Sequence, residues 1–436
     1  PSYRKALILT GSIMNALPTS ISSYYGNLLP YINSYYNAHR SNTKPRVDPL
    51  WVVSVFETTF VLGMILTSPA AHRFGKYPSL LIGNAVLAFS VISGYLTIAE
   101  PLAFVSLFGG LLGTSVGMVY GLIVNLLLQQ MPHSRGLATG IMSTGPVLGG
   151  LIFIGVSYLV INPNNKKPNL VIQNKIYFSD KELIERVPVY FLVMGAITIA
   201  SLFTGSALMY LGSEKLVQDH DEETIVQKND QSGVSKGHAR HKSDEAVPIT
   251  ASDAVRTARF WLVLLAYVAS NHTNYLHLNL YKEYGQQAIS DDALLVTTGI
   301  ISQAGMVVVR PLLGLFSDKF SIRITCVLVN ASSCLFMALM VVVLRICPWA
   351  YMVIIVIETI GVSPHTMLFV LLLAFEFGKT HCASNFGFLR LGNIFIVLVE
   401  PFAVDTIIRK IGYDWLFLTG SSAAGIATLA IMALDW

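Results

Sequence analysis

The sequence predicts an all-α membrane protein with twelve transmembrane helices in two six-helix halves. Three observations lead there. The first is composition: of 436 residues, 53% are hydrophobic and only 12% are charged, against about 25% charged in soluble domains. Mean hydropathy is +0.59. The second is spacing. Twelve stretches supply the ~20 mostly apolar residues that a bilayer crossing needs: roughly 6–29, 50–70, 78–98, 102–130, 137–161, 188–212, 259–281, 293–317, 323–346, 350–375, 383–408 and 412–434. The third is the interruption at 213–258, dense in charge and short of apolar side chains. Such a segment cannot bury a core, so it predicts a flexible cytoplasmic linker between an N-terminal half, 1–212, and a C-terminal half, 259–436.

Each span adds a detail. Span one, ALILTGSIMNALPTSISSYYGNLL, has no ionisable side chain besides its tyrosines and ends with Tyr24, Tyr25 and Asn27 beside Gly26. Span two carries Glu57 and runs into the basic connection SPAAHRFGKYPSL. Spans three and four are apolar. Span five holds Gly145-Pro146-Val-Leu-Gly149-Gly150, which predicts close helix packing and a kink. Residues 250–259, the tail of the linker, predict a short amphipathic surface helix. Span seven contains SNHTNYLHLN, too polar to face lipid, and predicts a broken or water-lined helix. Span eight carries Gln303 and a single charge, Arg310. Spans ten and eleven carry Glu358, Arg390 and Glu400. The connection after span eight, GLFSDKFSIRITC, stands where SPAAHRFGKYPSL stands in the first half. Internal repeats of this kind build transporter folds.

Composition also excludes functions. A net charge of +4 with no basic stripe or binding motif gives no purchase on nucleic acid. The four cysteines, Cys326, Cys334, Cys347 and Cys382, lack the paired spacing of a zinc site or a disulfide framework. No nucleophile–base pair or metal motif suggests an enzyme, and no cofactor is implied. The remaining partners are the bilayer, a small solute and protons; an accessory membrane subunit would leave no readable mark.

The candidate site residues are those that are expensive in a membrane. A guanidinium inside a spanning helix costs about 2.5–3.5 kcal/mol on insertion scales and is kept where it faces protein or water. Arg310 therefore reads as an anion-binding group, its planar fork suited to a carboxylate, or as a tie between helix ends near Asp318. Arg390 stands at similar depth, about seven residues or roughly 10 Å from the same end. It reads as a second substrate contact or as a side chain reaching for the interface. On span seven, Asn274 and His277 share a helix face, as do Asn271 and Tyr275. With Gln303, Tyr24 and Tyr25 they read as substrate contacts, against a plain role in helix–helix hydrogen bonding or at the membrane interface. Glu57, Glu358 and Glu400 are spanning carboxylates able to carry a proton, with His272 or His277 as partners. The alternative is a satisfied ion pair.

Several stretches resemble the major facilitator superfamily. Residues 68–76, SPAAHRFGK, resemble its loop signature Gly-x-x-x-Asp-Arg-x-Gly-Arg, with Arg73 and Gly75 matching and His72 in place of the Asp. The second copy, from Gly314, keeps its Asp as Asp318. The resemblance implies that Arg73 and Asp318 help latch one conformation. More narrowly, Val309-Arg310-Pro311-Leu-Leu-Gly314 resembles span eight of monocarboxylate transporters. Arg135-Gly-Leu-Ala-Thr-Gly140 resembles the start of span five there and in oxalate–formate antiporters. Residues 253–262 and Asn385-Phe-Gly387 resemble the starts of spans seven and eleven in the antiporters. The resemblance implies alternating-access transport of a small organic anion, most simply a monocarboxylate, by proton symport or exchange, with Arg310 on the substrate carboxylate.

Three departures bear on coupling. Span one lacks the family's acidic-glycine motif and its lysine, and position 306, where proton-coupled members carry an acid, is methionine. Proton coupling therefore stays open. So does facilitated uptake of a neutral or zwitterionic solute such as an aromatic amino acid, or a sensor that binds without transporting. Loop charges weakly favour a cytoplasmic N-terminus, and the resemblance agrees. The plasma membrane is the expected location, with an organelle membrane as the alternative. Pro1 without a preceding methionine predicts that residues precede it.

Overall fold

The computed structural model describes residues 2–39, 47–130, 142–230, 251–362, 365–378 and 382–434. The Arg135–Gly140 stretch, and the side chains of Arg310 and Asp318, lie outside the described residues.

Span one is two helices, α1 (Ser2–Ala16) and α2 (Ile21–Ala38), separated by a 3-10 turn at Leu17–Thr19. Pro18 explains the break, because it has no N–H to continue the ladder. Then come α3 (Trp51–Phe74) and α4 (Lys76–Thr97). Span four begins with a turn at Pro101–Phe104, passes through a π-helical segment at Val105–Leu111 and continues as α5 (Leu112–Gln130). The N-terminal half ends with α6 (Thr144–Ile161) and α7 (Lys181–Asp230). The C-terminal half comprises α8 (Ala258–Gly285), α9 (Asp292–Phe320), α10 (Ile322–Ile346), α11 (Pro348–Val362), α12 (His365–Phe377), α13 (Cys382–Ile411) and α14 (Tyr413–Met432). Among the described residues ten segments are long and apolar enough to cross a membrane. The other two expected spans are the broken span one and the polar span seven.

Three expectations change. Span seven is not broken: α8 is continuous, because its polar side chains find partners outside their own backbone. The GPVLGG segment does pack closely, since a Cβ at Gly149 would lie 2.0 Å from the Leu17 carbonyl. The stretch where a kink would show, residues 131–141, lies outside the described residues. Pro146 falls in the first turn of α6, where the N–H groups have no intrahelical acceptor anyway. The segment 213–258 is not wholly irregular, because α7 carries its helix on to Asp230. Residues 250–259 hold one helical turn, Ala251–Ala254, rather than an amphipathic helix.

A fourth finding qualifies the all-α expectation. Strands β1 (Leu170–Ile172) and β2 (Lys175–Tyr177) form an antiparallel hairpin between α6 and α7. Its two-residue turn, Gln173–Asn174, has positive φ at both positions (49° and 65°). That is the geometry whose twist matches paired strands.

One end of the bundle carries the connections 47–50, 162–180 and 286–291 and the turn at Gly412; we call it the loop-rich end. The opposite end carries matching tight turns, Gly75 after span two (φ 86°) and Ser321 after span eight (φ 79°). The repeat seen in the sequence thus extends to the backbone, with a serine holding a conformation that favours glycine.

Candidate functional site

Among the described residues the two halves meet chiefly along three helix pairs, α2 with α8, α3 with α13 and α6 with α9. Small residues allow the approach: a Cβ on Gly26 of α2 would lie 1.9 Å from the Leu278 carbonyl of α8. Between α3 and α13, well inside the bundle, Arg390 Nη1 donates to Glu57 Oε2 at 2.9 Å. The guanidinium is flanked by Phe60 from one half and Phe386 from the other, 5.5 and 5.6 Å from the ring centroids. Ser22 donates to the second Glu57 oxygen at 3.1 Å. The Glu57 and Arg390 side chains keep 27% and 20% of their surface exposed. This charge pair therefore bridges the halves without being sealed off.

Beside it stand α8 groups. His272 Nδ1 lies 3.0 Å from Glu400 Oε1, and its Nε2 lies 3.3 Å from the Thr419 hydroxyl. Thr419 already donates to the Leu416 carbonyl at 2.6 Å. Its oxygen is thus the acceptor toward His272, and Nε2 carries a hydrogen. The short Nδ1–Glu400 contact then needs one further proton, on either the ring or the carboxylate. The Tyr275 and Ser54 hydroxyls meet across the halves at 3.5 Å. Gln303 donates to the Ser23 carbonyl of the other half at 2.9 Å, with its own carbonyl oxygen buried and unpartnered among the described residues. Arg310 lies two turns further along α9, so its backbone position falls on the helix face that Gln303 occupies.

At the loop-rich end the halves are joined by buried polar contacts. Lys282 of α8 pairs with Asp292 of α9 at 2.9 Å, and both side chains have no exposed surface. Asp292 also accepts from Tyr31 and from Asn162 of the N-terminal half. Lys282 donates to the Asn27 side chain at 3.2 Å and stands 4.0 Å from the Tyr31 ring centroid. Asn27 donates in turn to Tyr281 at 3.0 Å. Glu283 accepts from Asn33 across the halves and from Tyr413 within its own. Opening this end requires the cross-half contacts to part: Asp292 from Tyr31 and Asn162, Lys282 and Tyr281 from Asn27, and Glu283 from Asn33.

The remaining candidates lie elsewhere. Tyr24 and Tyr25 are fully buried, their hydroxyls directed to Met194 Sδ and to the Pro49 carbonyl. His277 bonds Thr359 at 2.6 Å, and Asn271 lies 3.2 Å from His365. Asn274 has a buried, unpartnered carbonyl oxygen, and Glu358 a buried, unpartnered carboxylate oxygen, among the described residues. Arg73 sits exposed at the end of α3, 5.5 Å from the Phe74 ring centroid.

A sequence profile described as Major Facilitator Superfamily matches residues 8–393. The chain belongs to that superfamily. Solved structures agree on the fold. A partially occluded inward-open conformation of the xylose transporter XylE from E. coli matches with a TM-score of 0.70 at 13% identity, over 100% of this chain and 98% of that one. A D-xylose-proton symporter matches with a TM-score of 0.71 at 12% identity, over 99% and 97%. The curated "Apicoplast pyruvate carrier 1" of Toxoplasma gondii is 24% identical over 171 residues, which is 37% of this chain and 31% of that protein's length. As a major facilitator the chain is a multi-pass membrane transporter and not an enzyme, and its substrate is a small solute.

Sequence reasoning missed the superfamily member's closed end. Lys282, Glu283 and Asp292 read as ordinary charges flanking spans. Tyr31 and Asn33 lie on α2 beyond the stretch assigned to span one, and Asn27 stands at its end. The available signal was their density: LYKEYG and SDDA put four charges within a short connection.

Proposed function

We propose that this major facilitator carries a small monocarboxylate by alternating access, coupled to a proton. The observation that carries the reading is the Glu57–Arg390 pair. A guanidinium within the span needs a counter-anion, and here Glu57 supplies it from the opposite half. Glu57 offers the guanidinium one oxygen, whereas an incoming carboxylate can offer two in a bidentate fork, so it displaces Glu57 and takes over the bridge between halves. Arg310 is a second cation for the same anion. The proton shared by His272 and Glu400 is the coupling proton. Glu57 is near enough to act electrostatically on Glu400, so a charge change at one is felt at the other. Tyr275, Asn274 and Gln303 complete the walls. The pyruvate named for the Toxoplasma carrier belongs to the same chemical class.

With the N-terminus cytoplasmic, the closed loop-rich end is the external one. The two six-span halves, 1–212 and 259–436, then rock about the α3–α13 contact.

Uptake of labelled pyruvate and lactate into proteoliposomes under an imposed pH gradient tests this. Arg390→Ala and Arg310→Ala should each lower uptake at least tenfold. Glu400→Gln should keep anion exchange but lose accumulation driven by the gradient. Correctly inserted arginine variants that take up carboxylates at the wild-type rate would sink the proposal. A second reading has one observation in its favour: the Glu57–Arg390 pair is self-neutralising. If it stays closed throughout the cycle, the cavity suits a neutral or zwitterionic solute, and uptake of such a solute would ignore the gradient.

A further inference from the structure

The hairpin β1–β2 belongs to the N-terminal half, yet its tip is bonded to the C-terminal half. Lys175 is buried, with its ammonium 2.9 Å from Asp48 and 3.4 Å from Asp405 of α13. Burial works against its charge, but Asp48, Glu283 and Asp405 outweigh it and hold the Lys175 pKa above the ordinary lysine value. Asn174 donates to the Ile408 carbonyl at 3.2 Å, and Gln287 donates to the Asn174 carbonyl at 3.1 Å. Arg409 bonds Gln173, the other turn residue. The base of the hairpin is fixed to its own half, where the Phe178 N–H donates to Ser34 at 2.9 Å. Asp48 lies in the connection between α2 and α3.

We propose that this hairpin is a strap that holds the loop-rich end shut. Its root stays with the N-terminal half, and its tip must leave α13 and the 286–291 connection each time that end opens. Lys175 is the pivot: Asp48 keeps it charged and seated in both states, while Asp405 is the partner lost on opening. The contacts are asymmetric. A change at Asp405 weakens only the closed state, whereas a change at an ion pair within the N-terminal half weakens neither state over the other. The exposed contact of Lys166 with Asp180, 2.7 Å, is such a pair.

The strap rests on the reading that the two ends open alternately, and it can be tested without knowing the substrate. The reporter is a cysteine at position 154, in a full-length chain carrying Cys347→Ser, because Cys347 is exposed at the same end. Ile154 is 1% exposed and faces Gly299 across the α6–α9 seam. A second reporter at position 127 replaces Leu127, buried in the core of the N-terminal half. The protein in lipid nanodiscs is reacted with a charged maleimide. Asp405→Asn and Lys175→Ala should each raise the labelling rate at position 154 at least threefold and leave position 127 unchanged. Lys166→Ala should change neither. Unchanged labelling at position 154 in both strap variants overturns the proposal. So does a rise at both positions, which would mark general loosening rather than opening. Failure here leaves the carboxylate assignment standing, since that is read by uptake alone.

Discussion

Lys282 and Asp292 show what a single residue can cost in this fold. Both are completely buried, and each also bonds the opposite half, through Asn27 for the lysine and through Tyr31 and Asn162 for the aspartate. Removing one member leaves the other charge desolvated without its partner, typically a loss of about 3–5 kcal/mol. Asp292→Asn should therefore lower the thermal midpoint by several degrees in a detergent-based unfolding assay. The double change Lys282→Met with Asp292→Asn should recover most of it, because no lone charge remains. A double variant as unstable as the sum of its parts would show that the pair is not the unit of stability. Glu57, Glu400 and Arg390 were legible in the sequence as costly residues in a membrane. Their pairing was not, since Glu57 and Arg390 stand 333 positions apart and no local pattern links them.

At the level of elements, the clearest device is a glycine ladder. Gly109, Gly113, Gly117 and Gly121 recur every fourth residue along span four and face α3. A Cβ would lie 3.0 Å from the Val52 carbonyl, 2.4 Å from that of Phe56, 2.1 Å from that of Phe60 and 2.5 Å from the Thr67 hydroxyl. Gly63 returns the approach, 2.0 Å from the Thr114 carbonyl. Lipid offers no hydrophobic drive between helices, so contacts this close supply the association. Gly117→Ala should force the helices apart and sharply reduce the yield of monodisperse protein. Gly110→Ala, which would meet Val55 at 3.4 Å and Thr59 at 4.0 Å, both ordinary contacts, should be tolerated; equal behaviour of the two on size-exclusion would refute the ladder. The spans themselves were legible because membrane insertion selects on composition and length alone. The break in span one turned on one proline, and the β-hairpin on two three-residue strands, too short for an alternating pattern to register. Span seven reads as polar, and only its neighbours explain why it stays helical: His272, Thr273 and His277 bond α13, α14 and α11 side chains or backbone.

For the whole molecule, the two-half organisation was legible from the central polar segment and the repeated connection, and Gly75 and Ser321 carry that repeat into the backbone. Which end is closed was not legible, because closure is a relation between halves rather than a property of either. The polar contacts that the described residues make between halves gather at the loop-rich end and around Arg390. One consequence concerns dissolved salt. A surface ion pair loses much of its attraction as ionic strength rises, because mobile ions enter within a Debye length of about 10 Å at 0.1 M. The contacts by which Lys282 and Asp292 hold Asn27, Tyr31 and Asn162 of the other half have no surface for an ion to reach. Opening of the loop-rich end, followed by thiol labelling at position 154, should therefore keep nearly the same rate from 0.05 to about 0.5 M salt. A rate that climbed steeply with salt would place the barrier in the partly exposed Lys175–Asp405 pair, which does cross between the halves, instead.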